Sequence, residues 1–135
     1  MKNDNHNTGN IGLHYACYRL AEQGWNVMPT ARNARGVDIL VSGSKGKSKS
    51  IQVKTLSGVN PVNIKDVDTI DVEYLIVVMN ARGIKGGSPT CYVLTTKQAR
   101  MIVTPHETRP WIPVHKLKPY AERWKTIGTA RPART

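Results

Sequence analysis

The sequence predicts an α/β domain with a mixed central sheet flanked by helices. Three observations carry that expectation. Apolar residues recur at helical spacing over 8–23, two short apolar strands flank a Gly/Ser/Lys turn over 37–56, and residues 74–79 form an unbroken apolar run. The first pattern sets a helix ahead of the strands. The second is a hairpin signal. The third suits a strand buried on both faces.

Taken in order, residues 1–7 are polar and expected to fray. In the helix that follows, Ile11, Tyr15, Tyr18 (or Cys17) and Leu20 (or Ala21) form the apolar stripe, with Thr8 as N-cap and Gly24 at C′. Trp25 to Thr30 reads as a strand, closed by Pro29 and a basic loop holding Arg32 and Arg35. The hairpin strands fall at about 37–42 and 49–56, joined by a cationic turn with Lys45, Lys47 and Lys49. The polar stretch 57–71 has room for one helical turn around Ile64–Val67, and Tyr74–Met79 is the buried strand. Residues 80–89, with Arg82, Lys85 and three glycines, form a basic loop. Cys91–Leu94 is a further strand, and Thr95 or Thr96 caps a helix through Ile102. After a proline-rich crossing, 105–113, a short terminal helix carries Leu117, Tyr120, Trp124 and Ile127. The tail from 129 is expected to be disordered, which leaves one domain over 8–128 and no internal repeat. This order is an α/β sandwich.

A chain of 135 residues is long enough to bury one real core. Its 20 Lys and Arg against 9 Asp and Glu give a net charge of +11, which argues about partners rather than fold. A polyanion is the natural partner, and nucleic acid is the commonest. No apolar run reaches the length of a membrane span. The N-terminus lacks the apolar segment of a signal peptide, so the expected location is the cytoplasm. Cys17 and Cys91 stand apart in apolar contexts and the four histidines are scattered, which supports neither a zinc site nor a disulfide framework. Trp25, Trp111 and Trp124 read as core residues.

The chemistry concentrates in the hairpin. Asp38 lies between Val37 and Ile39, and Gln52 and Lys54 flank Val53 on the next strand. Side chains at i and i+2 share a face, so Gln52 and Lys54 project together, and strand pairing brings Asp38 beside them. A carboxylate, an amide oxygen and an ammonium on one face suit a hard cation held against a phosphate. Each residue alone also fits a half-buried strand that alternates for solubility. The combination of Gly36 before Asp38 with Gln-x-Lys on the next strand resembles the PD-(D/E)XK nuclease superfamily. Residues 9–35 resemble the helix and entering strand that precede the motif in its small resolvase-like and restriction-like members.

The resemblance implies a restriction-endonuclease-like αβββαβ core and a metal-dependent endonuclease acting on DNA, with Mg2+ or Mn2+ as cofactor. It implies Asp38, Gln52 and the Val53 carbonyl as metal ligands, with Lys54 orienting water and neutralising phosphate. Such enzymes often add an acid from the first helix, where this chain has Leu13 and His14. Glu22, the acid on that helix, lies about 13 Å further along the axis. His14 is therefore the candidate replacement. Arg32, Arg35, Lys45, Lys47, Lys49, Arg82 and Lys85 are candidate phosphate contacts. The turn springs from the two motif strands, which supports its lying on the same duplex; the alternative is a turn that points away and is cationic only for solubility, with the DNA path along Arg32, Arg35 and Arg82. Cutting both strands with one site per chain implies a homodimer. Two other readings stand beside this one: a non-catalytic nucleic-acid-binding protein on a degenerate nuclease fold, and a basic structural protein with an accidental motif.

Overall fold

The computed structural model describes residues 4–31, 36–44, 46–64, 71–84 and 86–130. In chain order the elements are α1 (Asp4–Glu22), β1 (Asn26–Pro29), β2 (Ile39–Ser42), β3 (Ser48–Thr55), β4 (Val62–Asn63) and β5 (Tyr74–Met79). They continue as β6 (Thr90–Thr95), α2 (Thr96–Ile102), β7 (Trp111–Ile112) and α3 (Val114–Leu117). Five strands form the main sheet in the order β1-β2-β3-β5-β6. Only the β3–β5 pair is parallel, so the sheet is mixed as expected. The crossover between β3 and β5 contains β4, which pairs with β7 in a separate two-stranded sheet. The helix of the expected αβββαβ order would fall on 65–70, outside the described residues, and α2 follows β6.

Period-two alternation along β5 builds a core on each face. Ile76 and Val78 join Ile39, Val41 and Ile51 under Ala16 and Leu20 of α1. Leu75, Val77 and Met79 face the other way and meet Leu94, Ala99, Ile112 and Leu117. That is why the run 74–79 is apolar without interruption. Among the described residues no helix is long and apolar enough to cross a membrane.

α1 starts at Asp4, ahead of the expected N-cap. Thr8 is instead a buried helix residue, 7% exposed, whose hydroxyl accepts from Arg82 Nε at 3.0 Å. The other end is as the sequence predicts. Gly24 has φ +94°, its N–H donates to the Ala21 carbonyl, and the Trp25 N–H donates to the Leu20 carbonyl. This is a Schellman ending, completed by Leu20 and Trp25 packing in one core. At α2 the expected cap is also present: the Thr95 hydroxyl accepts from the Gln98 N–H, and Gln98 returns the bond to the Thr95 N–H.

The terminal helix is broken where a single one was expected. α3 gives way to 3₁₀ turns at Lys118–Tyr120 and Trp124–Thr126, separated by Glu122 at φ +53°. Glu122 has another task. Its N–H donates to the Cys91 carbonyl at 2.7 Å, and its Oε2 accepts the Cys91 N–H at 2.6 Å. The residue thus pairs with the edge of β6 as a strand would. Its Oε1 takes the Trp124 indole at 3.1 Å and the Arg19 guanidinium at 2.7 Å, tying the C-terminal segment to α1. The segment stays ordered beyond 129: Ala130 is 5% exposed and its carbonyl accepts from the Ser44 N–H. Residues 131–135 lie outside the described set.

Burial pushes the Glu122 carboxyl up, but the Cys91 N–H, the Trp124 indole and Arg19 outweigh it and hold it below its ordinary range. A carboxyl depressed in the fold adds stability above its unfolded pKa, and that contribution fades as pH falls through the folded value. Glu122→Ala is therefore expected to cost about 1–2 kcal/mol at pH 7, discounted for its partial exposure. The difference from wild type should shrink below pH 4, roughly the unfolded carboxylate pKa. Urea midpoints at the two pH values check both statements.

Candidate active site

The hairpin forms with the register that joins Ile39 to Ile51. One step further along that register sets Asp38 opposite Gln52. β2 has ended there, so the Val53 N–H lies beyond the ladder. Asp38 supplies the missing acceptor: its Oδ2 takes the Val53 N–H at 2.7 Å, and its own N–H donates to the Ile51 carbonyl at 2.9 Å. The end of β1 holds this corner in place. Thr30 donates from its N–H to the Asp38 carbonyl at 2.9 Å and from its hydroxyl to the Val37 carbonyl. Gly36, at φ +82°, makes the turn into the corner, and a Cβ there would meet Gln52 Nε2 at 3.5 Å.

Along β3 the side chains part to opposite faces. Ile51 and Val53 join the core beneath α1, and Thr55 meets Gly12 of α1. Gln52 and Lys54 take the other face by alternation. There they form a polar shelf beside the apolar residues of β5. Gln52 Oε1 is buried and has no hydrogen-bond partner among the described residues. Burial raises the Asp38 carboxyl above its ordinary pKa, against the pull of the Val53 N–H and the Lys54 ammonium. Asp38, Gln52, Val53 and Lys54 are thus together, as their spacing predicts.

This donor set fits a hard cation better than a soft one. Asp38 offers a carboxylate, and the partnerless Gln52 oxygen is a neutral donor. The Val53 carbonyl points to the same side of β3 as its N–H, since paired strand residues exchange both bonds with one neighbour. Among the described residues no three His, Cys, Asp or Glu side chains cluster to hold a metal on their own. Magnesium suits such a sparse set, because it keeps several waters and takes substrate phosphate as a ligand.

The remaining candidates are placed elsewhere or have other duties. His14 is exposed on the outer side of α1, two residues and hence about 200° around the helix from Gly12, which faces β3. It lines a groove with Asn7, Ile11, Tyr18 and Arg82, and it is not beside Asp38. Lys49 is half-buried, not a free phosphate contact. Its ammonium donates to the Ile127 carbonyl and sits 5.5 Å from the Trp25 ring centre and 5.8 Å from that of Tyr74. Aromatic faces and a carbonyl give the cation more than the turn would. Lys47 is exposed but occupies the far end of the hairpin, about 17 Å from Gln52 along the strand. The turn is therefore remote from the motif. Arg82 lies past the end of the sheet where β3 and β5 finish, with its N–H donating to the Ser57 carbonyl at 3.2 Å, and its side chain turns to Thr8 on the α1 side, away from the face that holds Gln52 and Lys54. Arg32, Arg35, Lys45 and Lys85 lie outside the described residues.

Sequence reasoning passed over two residues that position the site. Gly12 sits so close to β3 that a Cβ would lie 1.8 Å from Thr55 Oγ1, one residue from Lys54. A glycine inside a helix costs about 1 kcal/mol against alanine, which was the available signal of close packing. Thr30 gave no such signal. Neither thiol is activated by its surroundings: burial pushes Cys91 up to about 12 and raises Cys17 as well.

A solved structure shares this mixed sheet and the helix packed on it. The chain superposes on a bacterial homing endonuclease, I-Ssp6803I, with a TM-score of 0.64 over 92% of this chain and 93% of that one. Identity is 14%, so the likeness is one of fold. No protein-family description and no curated protein sequence matches the chain.

Proposed function

We propose that this protein is a metal-dependent endonuclease that hydrolyses phosphodiester bonds in DNA. The observation that carries the reading is Gln52 Oε1, a buried acceptor without a partner among the described residues, facing the side of the sheet that holds Asp38 and Lys54. Burying such an oxygen is costly unless something takes its lone pairs. The net charge of +11 and a fold similar to that of a homing endonuclease support the same reading.

Asp38 and Gln52 would hold Mg2+ or Mn2+, with the Val53 carbonyl as a further oxygen. Such an ion supplies an activated water and a clamp for phosphate oxygens. Lys54 neutralises phosphate charge and orients the attacking water. The Val53 N–H fixes the Asp38 carboxylate in its place. Arg32, Arg35, Lys45, Lys47, Arg82 and Lys85 would be phosphate contacts that add affinity without sequence information. Cutting both strands takes two copies of the chain.

Plasmid nicking in magnesium or manganese tests the reading. Lys54→Ala should slow nicking about tenfold to a hundredfold, the range for groups that support a metal site. Wild type that fails to nick with either metal would exclude catalysis. One observation favours a second reading: the absence of a three-residue metal cluster among the described residues fits a DNA-binding protein on a degenerate nuclease fold. Salt-dependent DNA binding without cleavage selects it. Gln52→Glu separates the readings further. It restores a second carboxylate and should tighten magnesium binding about tenfold, measured by calorimetry. Unchanged affinity in the folded variant would place Gln52 away from the metal.

A further inference from the structure

We infer that duplex DNA is gripped by the layer of chain over residues 96–120, on the side of the sheet that carries Gln52 and Lys54. That side is covered unevenly. Leu75 and Val77 of β5, in register with Gln52 and Lys54, are roofed by Ala99 of α2, Ile112 of β7 and Leu117 of α3. No described residue of β1 or β2 joins that core. Ile39 and Val41 face α1, so Leu40 turns to this side, and Met28, its partner in register, is 44% exposed. Among the described residues the roof therefore stops about one strand spacing, ~5 Å, from Gln52 and Lys54, and the sheet beyond is an open shelf.

The roof is nearly of one sign. Residues 96–120 hold Lys97, Arg100, Arg109, Lys116 and Lys118 against Glu107, and all five cations are exposed. Asp71 and Glu73 border its start, where the Thr96 N–H donates to the Glu73 carbonyl at 3.1 Å. The turn that presents Arg109 is fixed. The Thr104 and Trp111 N–H groups donate to each other's carbonyls at 2.7 and 3.1 Å. Inside the turn, His106 Nδ1 accepts the Thr108 and Arg109 N–H groups at 3.2 and 3.1 Å. A loop held in this way gives up less freedom on binding.

The α1 side is different. Arg19 is the one Lys or Arg of α1, and it pairs with Glu22 at 3.1 Å and with Glu122 at 2.7 Å. The Ile127 carbonyl and the Trp25 ring take Lys49, and Thr8 takes Arg82 Nε. Drawing these three onto phosphates would break those contacts. The choice of partner rests on the nuclease reading: DNA that reaches Asp38, Gln52 and Lys54 approaches from the roofed side, where the five cations meet its phosphates.

Anisotropy of a labelled duplex over a range of salt, without divalent metal, tests the inference. Lys97→Ala/Arg100→Ala and Arg109→Ala/Lys116→Ala each remove two cations of the layer. Each should make the log–log salt slope shallower by about 1.8, roughly 0.9 for each lost contact. Arg123→Ala/Lys125→Ala removes equal charge from the exposed segment that returns to α1, and its slope should match wild type. Lysine acetylation of the wild-type chain gives a second readout that no folding defect disturbs: duplex should protect Lys97, Lys116 and Lys118, and leave Lys125 reactive. Layer variants with the wild-type slope, a control that flattens it equally, or unprotected layer lysines would each overturn the inference. If wild type nicks DNA all the same, the proposed function stands without it. Wild type that binds no duplex would overturn both. The expected slopes without nicking in magnesium or manganese would support this surface and remove catalysis alone.

Discussion

Asp38→Asn is expected to slow metal-dependent DNA cleavage by about two to three orders of magnitude, the scale seen when one preorganised charge-stabilising group is removed. It should do so without loss of stability at pH 7. Burial raises the Asp38 carboxyl above its ordinary pKa, and neither the Val53 N–H nor Lys54 reverses that direction. The fold therefore binds the carboxyl proton more tightly than the unfolded chain does. Stability from this group is greatest below the unfolded pKa and is lost as pH rises through the folded one. At pH 7 the ionised carboxylate is a cost to the fold. Asparagine keeps an oxygen for the Val53 N–H, which Asp38 accepts at 2.7 Å, and carries no charge. A charge retained at a stability cost points to function. Two measurements test this together: nicking rates with magnesium and manganese, and urea midpoints at pH 7. Wild-type cleavage by the variant would remove the site as assigned. A stability loss beyond about 1 kcal/mol, the worth of an ordinary hydrogen bond, would make Asp38 a structural residue instead.

What was legible in the sequence was whatever follows from periodicity. The run Tyr74–Met79 is β5 to the residue, and the Thr95 cap and Gly24 ending stand where the pattern sets them. The motif assembled for the same reason, since alternation along β3 and one step of hairpin register bring Asp38, Gln52 and Lys54 together. Periodicity is silent on distance and on tertiary partners. Lys49 looks like another turn lysine until Trp25, Tyr74 and the Ile127 carbonyl are folded around it. Leu117, Tyr120, Trp124 and Ile127 repeat at helical spacing, yet pairing of Glu122 with the edge of β6 breaks that helix. His14 is the instructive case. Its distance from the glycine suggested the site, but rotation about the helix axis carries it to the opposite side.

Gly12→Ala is expected to be the most damaging single-methyl substitution in α1. The added Cβ would lie 1.8 Å from Thr55 Oγ1, 2.4 Å from its Cγ2 and 2.6 Å from its Cβ. Thr55 is β-branched and held in the β3–β5 ladder opposite Val78, so its side chain has little freedom to turn away. Helix propensity alone would favour alanine by about 1 kcal/mol. Overpacking costs typically 1–3 kcal/mol and more where the neighbour is rigid, so we expect a net loss of about 2 kcal/mol. The damage should reach function, because lifting α1 from Thr55 disturbs the strand one residue from Lys54, and misplacement by about 1 Å can cost a hundredfold in rate. Thr55→Gly removes all three clashing atoms. The double variant Gly12→Ala/Thr55→Gly should then be more stable than the sum of the two single losses predicts, by about 1–3 kcal/mol of coupling. Additive losses in urea unfolding would mean that α1 does not rest on Thr55 through Gly12. They would also remove the reason why a glycine occupies the middle of this helix.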